Sequence, residues 1–167
     1  RQMGLKAIPS ENYTDEALKA LADRAAQADV IVFAGGISPA VEGEELKTTV
    51  DGFAGGDRQR IELPEVQSKV LKALHKTGKP VVFVLCTGSS IALEQNEKDY
   101  DALVCAWYGG QEGGRAVADV LSGKYNPSGR LPLTFYKSTD QLPDFLDYSM
   151  DGRTYRYMTE RPLYDFG

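Results

Sequence analysis

Histidine and cysteine are scarce in this sequence, which removes several common kinds of active site. Its 167 residues include one histidine, His75, and two cysteines, Cys86 and Cys105. No Cys-x-x-Cys pair is present, so we expect no metal site, and nothing in the sequence calls for a cofactor. A Ser-His-Asp triad would need His75, which falls late in a predicted helix, where we expect it to be solvated. No G-x-S-x-G motif is present either.

The sequence also lacks an excess of basic residues and any long apolar run. Its 19 Lys and Arg against 24 Asp and Glu give a net charge of -5. Such a chain, without a basic cluster, is a poor candidate for binding nucleic acid or an anionic membrane. No apolar run approaches the roughly 20 residues of a membrane span. We therefore expect neither nucleic acid nor membrane as a partner.

The chain begins at Arg1, with neither an initiator methionine nor a signal peptide. We expect it to be a piece of a longer protein, with the true N-terminus and any targeting signal out of view. Its length and its 42% hydrophobic residues suit one domain with a real core. We predict a single domain over residues 1–167, with a poorly defined start over residues 1–13.

Apolar runs alternate with stripes at helical spacing along the chain. Three continuous apolar runs predict strands buried on both faces, at 30–34, 81–85 and 102–106. Helices are predicted from Asp15, capped by Thr14, to about Asp29, from Pro64 to Gly78, and from about Ala116 to Gly123. This alternation predicts an α/β fold, a mostly parallel sheet sandwiched between helices.

The two cysteines each end or interrupt one of these apolar runs. We predict that Cys86 and Cys105 are free thiols in the core. A disulfide between them is the alternative, and two cysteines do not identify a compartment.

Three loops follow the predicted strands and are the candidates for a site. They are Gly35 to about Ile61, Thr87 to Ser90, and Trp107 to Gly114. In an open parallel sheet, ligands bind outside the carboxyl ends of the strands, where these loops lie. The first loop is long and charged, and its apolar residues show no helical or strand periodicity. Long loops of this kind in compact domains are usually functional or disordered.

The third loop contains GGQEGG, Gly109 to Gly114, which invites comparison with dinucleotide-binding motifs. Its spacing does not fit G-x-G-x-x-G, and no phosphate-loop Gly-Lys-Ser/Thr is present. The alternative is that these glycines allow the strand and the helix to pack closely. Nucleotide binding is therefore disfavoured.

Three carboxylates, Glu42, Glu44 and Glu45, stand together in the first loop. A glutamate donates a proton near neutral pH when an apolar or anionic setting favours its protonated form. Glu42 follows the apolar tripeptide Pro39-Ala40-Val41 and has two acidic neighbours. The residues alone leave two interpretations open, a working acid and a solvated acidic loop.

Several stretches together resemble the C-terminal α/β-sandwich domain of glycoside hydrolase family 3. They are ADVIVFAGGISPAVEGEE, GGDRQRIELPEVQSKVLKAL, AWYGGQEGGRAVADVLSGKYNPSGRLPLTF and RTYRY with RPLYDFG. The resemblance covers about residues 14–167 and looks closest to the branch of β-xylosidases and β-glucosidases. It also indicates that the first strand–helix unit of the sandwich is not part of this chain.

The resemblance implies a retaining exo-β-glycosidase that removes terminal sugars from plant or glycan oligosaccharides. In the family, an N-terminal barrel of the same parent chain supplies an aspartate nucleophile, and this domain supplies the general acid/base glutamate. The matching motif places Glu42 at that position, with Glu44 as the alternative. A periplasmic or secreted location is implied, and the fragment alone is expected to be inactive.

The remaining candidates are Asp57, Arg58 and Trp107. Asp57 and Arg58 are expected to pair or to brace the loop, and sugar contact is the alternative. Trp107 stands where an aromatic face stacks on a sugar, or else packs in the core. Without the barrel, an exposed apolar surface would favour self-association of the fragment. The competing hypothesis for the whole chain is a non-catalytic carbohydrate-binding or interaction module.

Overall fold

A parallel sheet with helices packed against it forms the centre of the molecule. The computed structural model describes residues 13–42, 50–55 and 57–167. The elements in chain order are α1 (Asp15–Ala25), β1 (Ile31–Gly36), β2 (Phe53–Ala54), β3 (Asp57–Arg58), α2 (Glu65–His75), β4 (Val81–Cys86), a 3-10 helix (Glu94–Asp99), β5 (Ala102–Cys105), α3 (Gly113–Leu121), a 3-10 turn (Thr139–Gln141) and α4 (Thr154–Tyr157).

Within the described ranges, the main sheet has the order β1-β4-β5, and both strand pairs are parallel. Ile31 lies opposite Val81 at one end of the first pair, and Leu85 lies opposite Cys105 in the second. The α2 helix connects β1 to β4, because a parallel pair requires a crossover. The predicted α/β class is confirmed.

The first helix begins as predicted but ends earlier than the sequence suggested. Thr14 caps α1, since its hydroxyl accepts a hydrogen bond from the backbone of Ala17 at 3.2 Å. The helix ends at Ala25 and not near Asp29. Beyond it, the N–H groups of Gln27 and Ala28 bond to carbonyls three residues back, so the last turn tightens and the helix stops.

The core lies between α2 and the sheet. Helix α2 contacts α1, β1 and the 3-10 helix, and it buries Val70, Leu71 and Leu74. His75 ends α2 and is exposed, as predicted. The largest fully buried apolar side chains are Phe83, Phe135, Leu71, Leu85, Ile91, Leu93 and Val81.

Burial of every strand on both faces was predicted, and that prediction is wrong for β1 and β5. Ile31 is 8% exposed, whereas Val32 is 53% exposed. Successive side chains of a strand point to opposite faces, and the described elements cover only the Ile31 side at this edge of the sheet. Ala102 at the start of β5 is also exposed. An apolar run predicts a strand but does not specify what covers each face.

The two cysteines are both free and half-buried. Cys105 pairs in register with Leu85, the residue before Cys86. Because side chains alternate along a strand, the two thiols point to opposite faces of the sheet. The prediction of free thiols is confirmed, although neither is fully buried.

The segment after β1 is more ordered than the predicted featureless loop. Strands β2 and β3 pair antiparallel, with Phe53 opposite Arg58, and Phe53 is buried in the core. The C-terminal tail packs against the core, and the hydroxyl of Tyr164 lies 2.8 Å from that of Tyr100. None of the helices within the described ranges is long and apolar enough to cross a membrane.

Candidate active site

The carboxyl ends of the three parallel strands bring three loops together. Gly36, Cys86 and Cys105 end β1, β4 and β5, and the chain after each carries one polar side chain toward the same point. These side chains belong to Glu42, Ser89 and Tyr108. The edge predicted to hold the site is therefore where the structure gathers a carboxylate and two hydroxyl groups.

The carboxylate of Glu42 is held at both of its oxygens. The hydroxyl of Ser89 donates a hydrogen bond to Oε1 at 3.2 Å. The phenolic hydroxyl of Tyr108 donates a hydrogen bond to Oε2. Glu42 itself is half-buried, so water has only partial access to these contacts. Hydrogen bonds to a charged group are stronger than neutral ones, and two of them fix the carboxylate plane.

The loop after β4 holds Ser89 in one conformation. Thr87 is fully buried, and its hydroxyl donates to the carbonyl of Ser89 at 2.7 Å. The hydroxyl oxygen of Thr87 also accepts a hydrogen bond from the backbone N–H of Ser89 at 3.1 Å. This reciprocal contact is a local side-chain turn of the kind that Ser and Thr form. The position of the Ser89 hydroxyl is thus set by the buried end of the strand.

Arg58 lies behind Ser89 and supplies positive charge to the site. Its Nη1 donates to the hydroxyl of Ser89 at 3.0 Å and to the carbonyl of Ser90 at 2.6 Å. Burial lowers the pKa of the Arg58 guanidinium, and attraction to Glu42 and Glu62 opposes that fall. The group remains a cation at neutral pH, because an arginine starts from a very high pKa. Among the described residues, its buried Nε and Nη2 atoms have no hydrogen-bond partner.

Tyr108 reaches Glu42 because of an unusual backbone turn at the preceding residue. Trp107 has φ 55, in the left-handed region, and its ring contacts Phe135 edge-on at 6.1 Å between centroids. Strained conformations of this kind persist where packing holds them, often at functional sites. The Tyr108 ring then lies over Gly88, where a Cβ would come within 2.6 Å of ring atom Cε2.

The Tyr108 hydroxyl stays a hydrogen-bond donor throughout the neutral range. Burial raises the pKa of Tyr108 well above its usual value, and its bond to Glu42 raises it further. The charge of Arg58 lowers that pKa by less than these two effects raise it. The site therefore presents protonated phenol, serine hydroxyl and arginine around one carboxylate.

The other predicted site residues are only partly brought together. Trp107 is half-buried against Phe135 and the core, while Asp57 is exposed. No ion pair among the described residues joins Asp57 to Arg58, and Arg58 instead braces the loop at Ser89 and Ser90. Glu44 lies outside the described residues, so its placement stays a prediction.

Ser89, the hydroxyl of Tyr108 and the glycine beneath its ring were not predicted as site residues. The signal that would have found Ser89 and Tyr108 is position: both follow strands that end at the edge where Glu42 lies. In the described ranges, no group of three or more His, Cys, Asp or Glu could hold a metal ion.

The polar site lies at the carboxyl edge of a parallel sheet, which is where α/β enzyme domains bind their ligands. The family described as the glycosyl hydrolase family 3 C-terminal domain matches residues 3–167. The chain belongs to this family, and the resemblance in its motifs is confirmed.

Similar proteins are named as glycosidases. A xylan 1,4-β-xylosidase of Xylanibacter ruminicola is 58% identical over 137 residues, which cover 82% of this chain and 16% of that protein. A periplasmic β-glucosidase of Salmonella typhimurium is 40% identical, covering 92% of this chain and 20% of that protein. The solved exo-β-xylosidase XlnD, in complex with a xylobiose aziridine activity-based probe, superposes with a TM-score of 0.75 at 30% identity.

That structure covers 93% of this chain, and the chain covers 20% of it. The chain thus spans about a fifth of the length of the relatives it matches. The greater part of each relative has no counterpart in this chain.

Proposed function

We propose that this chain is the C-terminal domain of a retaining exo-β-glycosidase and that Glu42 is the general acid/base. The observation that carries the proposal is the position of Glu42. It lies at the carboxyl edge of the parallel sheet, with both oxygens hydrogen-bonded by residues from the two neighbouring strand ends. Membership of glycosyl hydrolase family 3 supports the reaction class.

Retention requires two carboxyl groups and two chemical steps. In the first step, Glu42 gives its proton to the departing oxygen while a second carboxylate attacks the anomeric carbon. In the second step, Glu42 takes a proton from water, and that water displaces the carboxylate from the sugar. The two carboxyl groups must lie about 5–5.5 Å apart. We place the attacking aspartate in an N-terminal barrel domain of the parent chain.

The substrate we propose is a terminal β-linked xylose or glucose of an oligosaccharide. Its support is the naming of similar proteins as xylosidases and glucosidases. Trp107, Arg58 and Asp57 stay candidates for contact with the sugar, and Trp107 is already engaged with Phe135. A periplasmic or secreted location is proposed by likeness to the Salmonella typhimurium protein.

The test uses the full-length enzyme and the Glu42→Ala variant. We expect kcat/KM to fall by about 10²- to 10⁴-fold on substrates with poor leaving groups, which need the proton. Activated aryl glycosides should form the glycosyl-enzyme at nearly the normal rate. Their hydrolysis should then be limited by the second step, and azide should restore turnover, because this anion attacks without needing a base.

Glu44→Ala is the comparison that decides the position of the acid/base. Under the proposal, this variant keeps the dependence on leaving group of the unmodified enzyme and gains nothing from azide. If Glu44→Ala shows the leaving-group dependence and the azide rescue, and Glu42→Ala does not, the assignment of Glu42 is wrong.

A further inference from the structure

We propose that Tyr108 and Ser89 are positioning residues for Glu42 and that Arg58 acts on Glu42 through Ser89. The inference rests on the proposed role of Glu42 as the acid/base. It assigns a function to Tyr108 and Ser89 that neither the motifs nor the likeness to other glycosidases assigns. Its support has three parts: the geometry of the carboxylate, the direction of the Ser89 proton, and the groups that face the carboxylate.

The first part is that the two donors hold different oxygens from different loops. Ser89 holds Oε1 from the loop after β4, and Tyr108 holds Oε2 from the loop after β5. Rotation of the carboxylate about the Cγ–Cδ bond of Glu42 would break both contacts together. Since the two loops are anchored on adjacent strands, the direction of Glu42 is tied to the sheet itself. Proton transfer to a substrate depends on such fixed geometry.

The second part concerns the single proton of the Ser89 hydroxyl. Nη1 of Arg58 carries only donors and lies 3.0 Å from the Ser89 oxygen, so it occupies a lone pair of that oxygen. The proton of Ser89 is then free to point to Oε1 of Glu42. Hydrogen bonds in such a chain polarise one another. The positive charge of Arg58 is thereby transmitted to Glu42 by an oriented hydroxyl.

The third part is the set of groups that face Glu42 from the other described elements. Arg58, at the end of β3, is a cation, and Tyr108, after β5, keeps its phenolic proton. The guanidinium, through Ser89, and both hydroxyl groups thus direct polar hydrogens toward the two oxygens of Glu42. Loss of either hydroxyl leaves one of these oxygens without its donor and should let the carboxyl group turn away from the departing oxygen of the substrate.

The experiment measures kcat and KM of the full-length enzyme carrying Tyr108→Phe, Ser89→Ala or Ser89→Thr, on substrates with good and with poor leaving groups. For Tyr108→Phe and Ser89→Ala we expect kcat/KM on poor leaving groups to fall about 5- to 50-fold, the size expected for one bond to a charged group. The loss should lie in kcat and not in KM, and it should be smaller for activated aryl glycosides, which need the proton less. Ser89→Thr keeps the hydroxyl and should keep the normal rates.

Tyr125→Phe is the matched control, because Tyr125 is exposed beyond the far end of α3. It removes the same phenolic oxygen and should change the rate on neither class of substrate. The proposal is overturned if Tyr108→Phe and Ser89→Ala lower the rate equally for all leaving groups. It is also overturned if both variants behave like the unmodified enzyme.

These outcomes separate the inference from the function on which it rests. If Glu42→Ala does not give the leaving-group dependence and azide rescue, the proposed function fails, whatever Tyr108→Phe does. If Glu42→Ala gives both effects while Tyr108→Phe and Ser89→Ala keep the normal rates, the function stands and the positioning role fails.

Discussion

The carboxamide of Gln67 forms two hydrogen bonds with the backbone of Gly36. Nε2 of Gln67 donates to the carbonyl of Gly36 at 2.6 Å, and the N–H of Gly36 donates to Oε1 at 2.7 Å. A side chain from α2 thus forms hydrogen bonds with both backbone polar groups of the last residue of β1. This is where the chain leaves the sheet toward Glu42. Gly36 has φ 115, and a Cβ there would lie 2.0 Å from the carbonyl oxygen of Cys86.

Replacing Gln67 tests how strongly this contact holds the start of the loop. We expect Gln67→Ala to lower the free energy of unfolding by about 1–3 kcal/mol, because two partly buried backbone groups lose their partner. Urea unfolding of the chain measures this. Gln95→Ala is the control, since Gln95 is exposed, and it should stay within about 0.5 kcal/mol. Equal stability of the two variants would contradict the prediction.

Gly88→Ala should affect Glu42 through Tyr108. The backbone of Gly88 is compatible with alanine, but the new Cβ would meet the Tyr108 ring at 2.6 Å and displace it. We expect kcat/KM of the full-length enzyme to fall about as far as in Tyr108→Phe. The double variant should lose little more than either single variant, because both remove the same hydrogen bond.

Kinetics of the two single variants and the double variant measure that coupling. Gly129→Ala is the control, because nothing lies within 4 Å of a Cβ built there. Fully additive losses in the double variant would mean that Gly88 and Tyr108 act independently, against this prediction.

The sequence predicted the sheet and the edge that carries the site, because both follow from local patterns. Apolar runs mark β1, β4 and β5, and the carboxyl ends of parallel strands meet at one edge. It did not predict that Val32 is exposed, since burial depends on what covers a strand. The early end of α1 was missed because its last turn tightens without a glycine or proline to signal it.

The partners of Glu42 could not be predicted from local sequence patterns, for a different reason. Ser89 and Tyr108 stand 47 and 66 residues from Glu42 along the chain. Their contact depends on strand register, on the left-handed turn at Trp107, and on the absence of a side chain at Gly88. Each of these is a tertiary property, so the sequence supplied the carboxylate and its edge but not the network around it.

The 167-residue chain by itself should show no turnover of aryl β-xylosides or β-glucosides. In the proposed mechanism the attacking carboxylate belongs to another domain, and Glu42 alone cannot form the glycosyl-enzyme. Release of the aryl group is followed by absorbance, with the full-length enzyme as the positive control. A burst of product in proportion to the amount of chain would show that a nucleophile lies within it, and would overturn this part of the proposal.

The contact between Glu62 and Thr139 should make the stability of the chain depend on pH in the acid range. The N–H and the hydroxyl of Thr139 donate to the two oxygens of Glu62 at 2.7 and 2.6 Å. Burial by itself would raise the pKa of Glu62, but these bonds, with smaller help from Arg60, outweigh it and lower that pKa. The unfolded chain therefore binds a proton at this group more readily than the folded chain does.

The stabilisation from Glu62 is then fully present above the ordinary glutamate pKa of about 4.3, and it is lost as pH falls through the lower value of the folded state. Urea midpoints measured from about pH 7 to about pH 3 should fall less steeply for Glu62→Gln than for the unmodified chain. Glu97→Gln, at an exposed position, is the control and should follow the unmodified curve. If Glu62→Gln runs parallel to the unmodified chain over this range, Glu62 does not couple folding to protons, and the bonds from Thr139 do not favour its charged form.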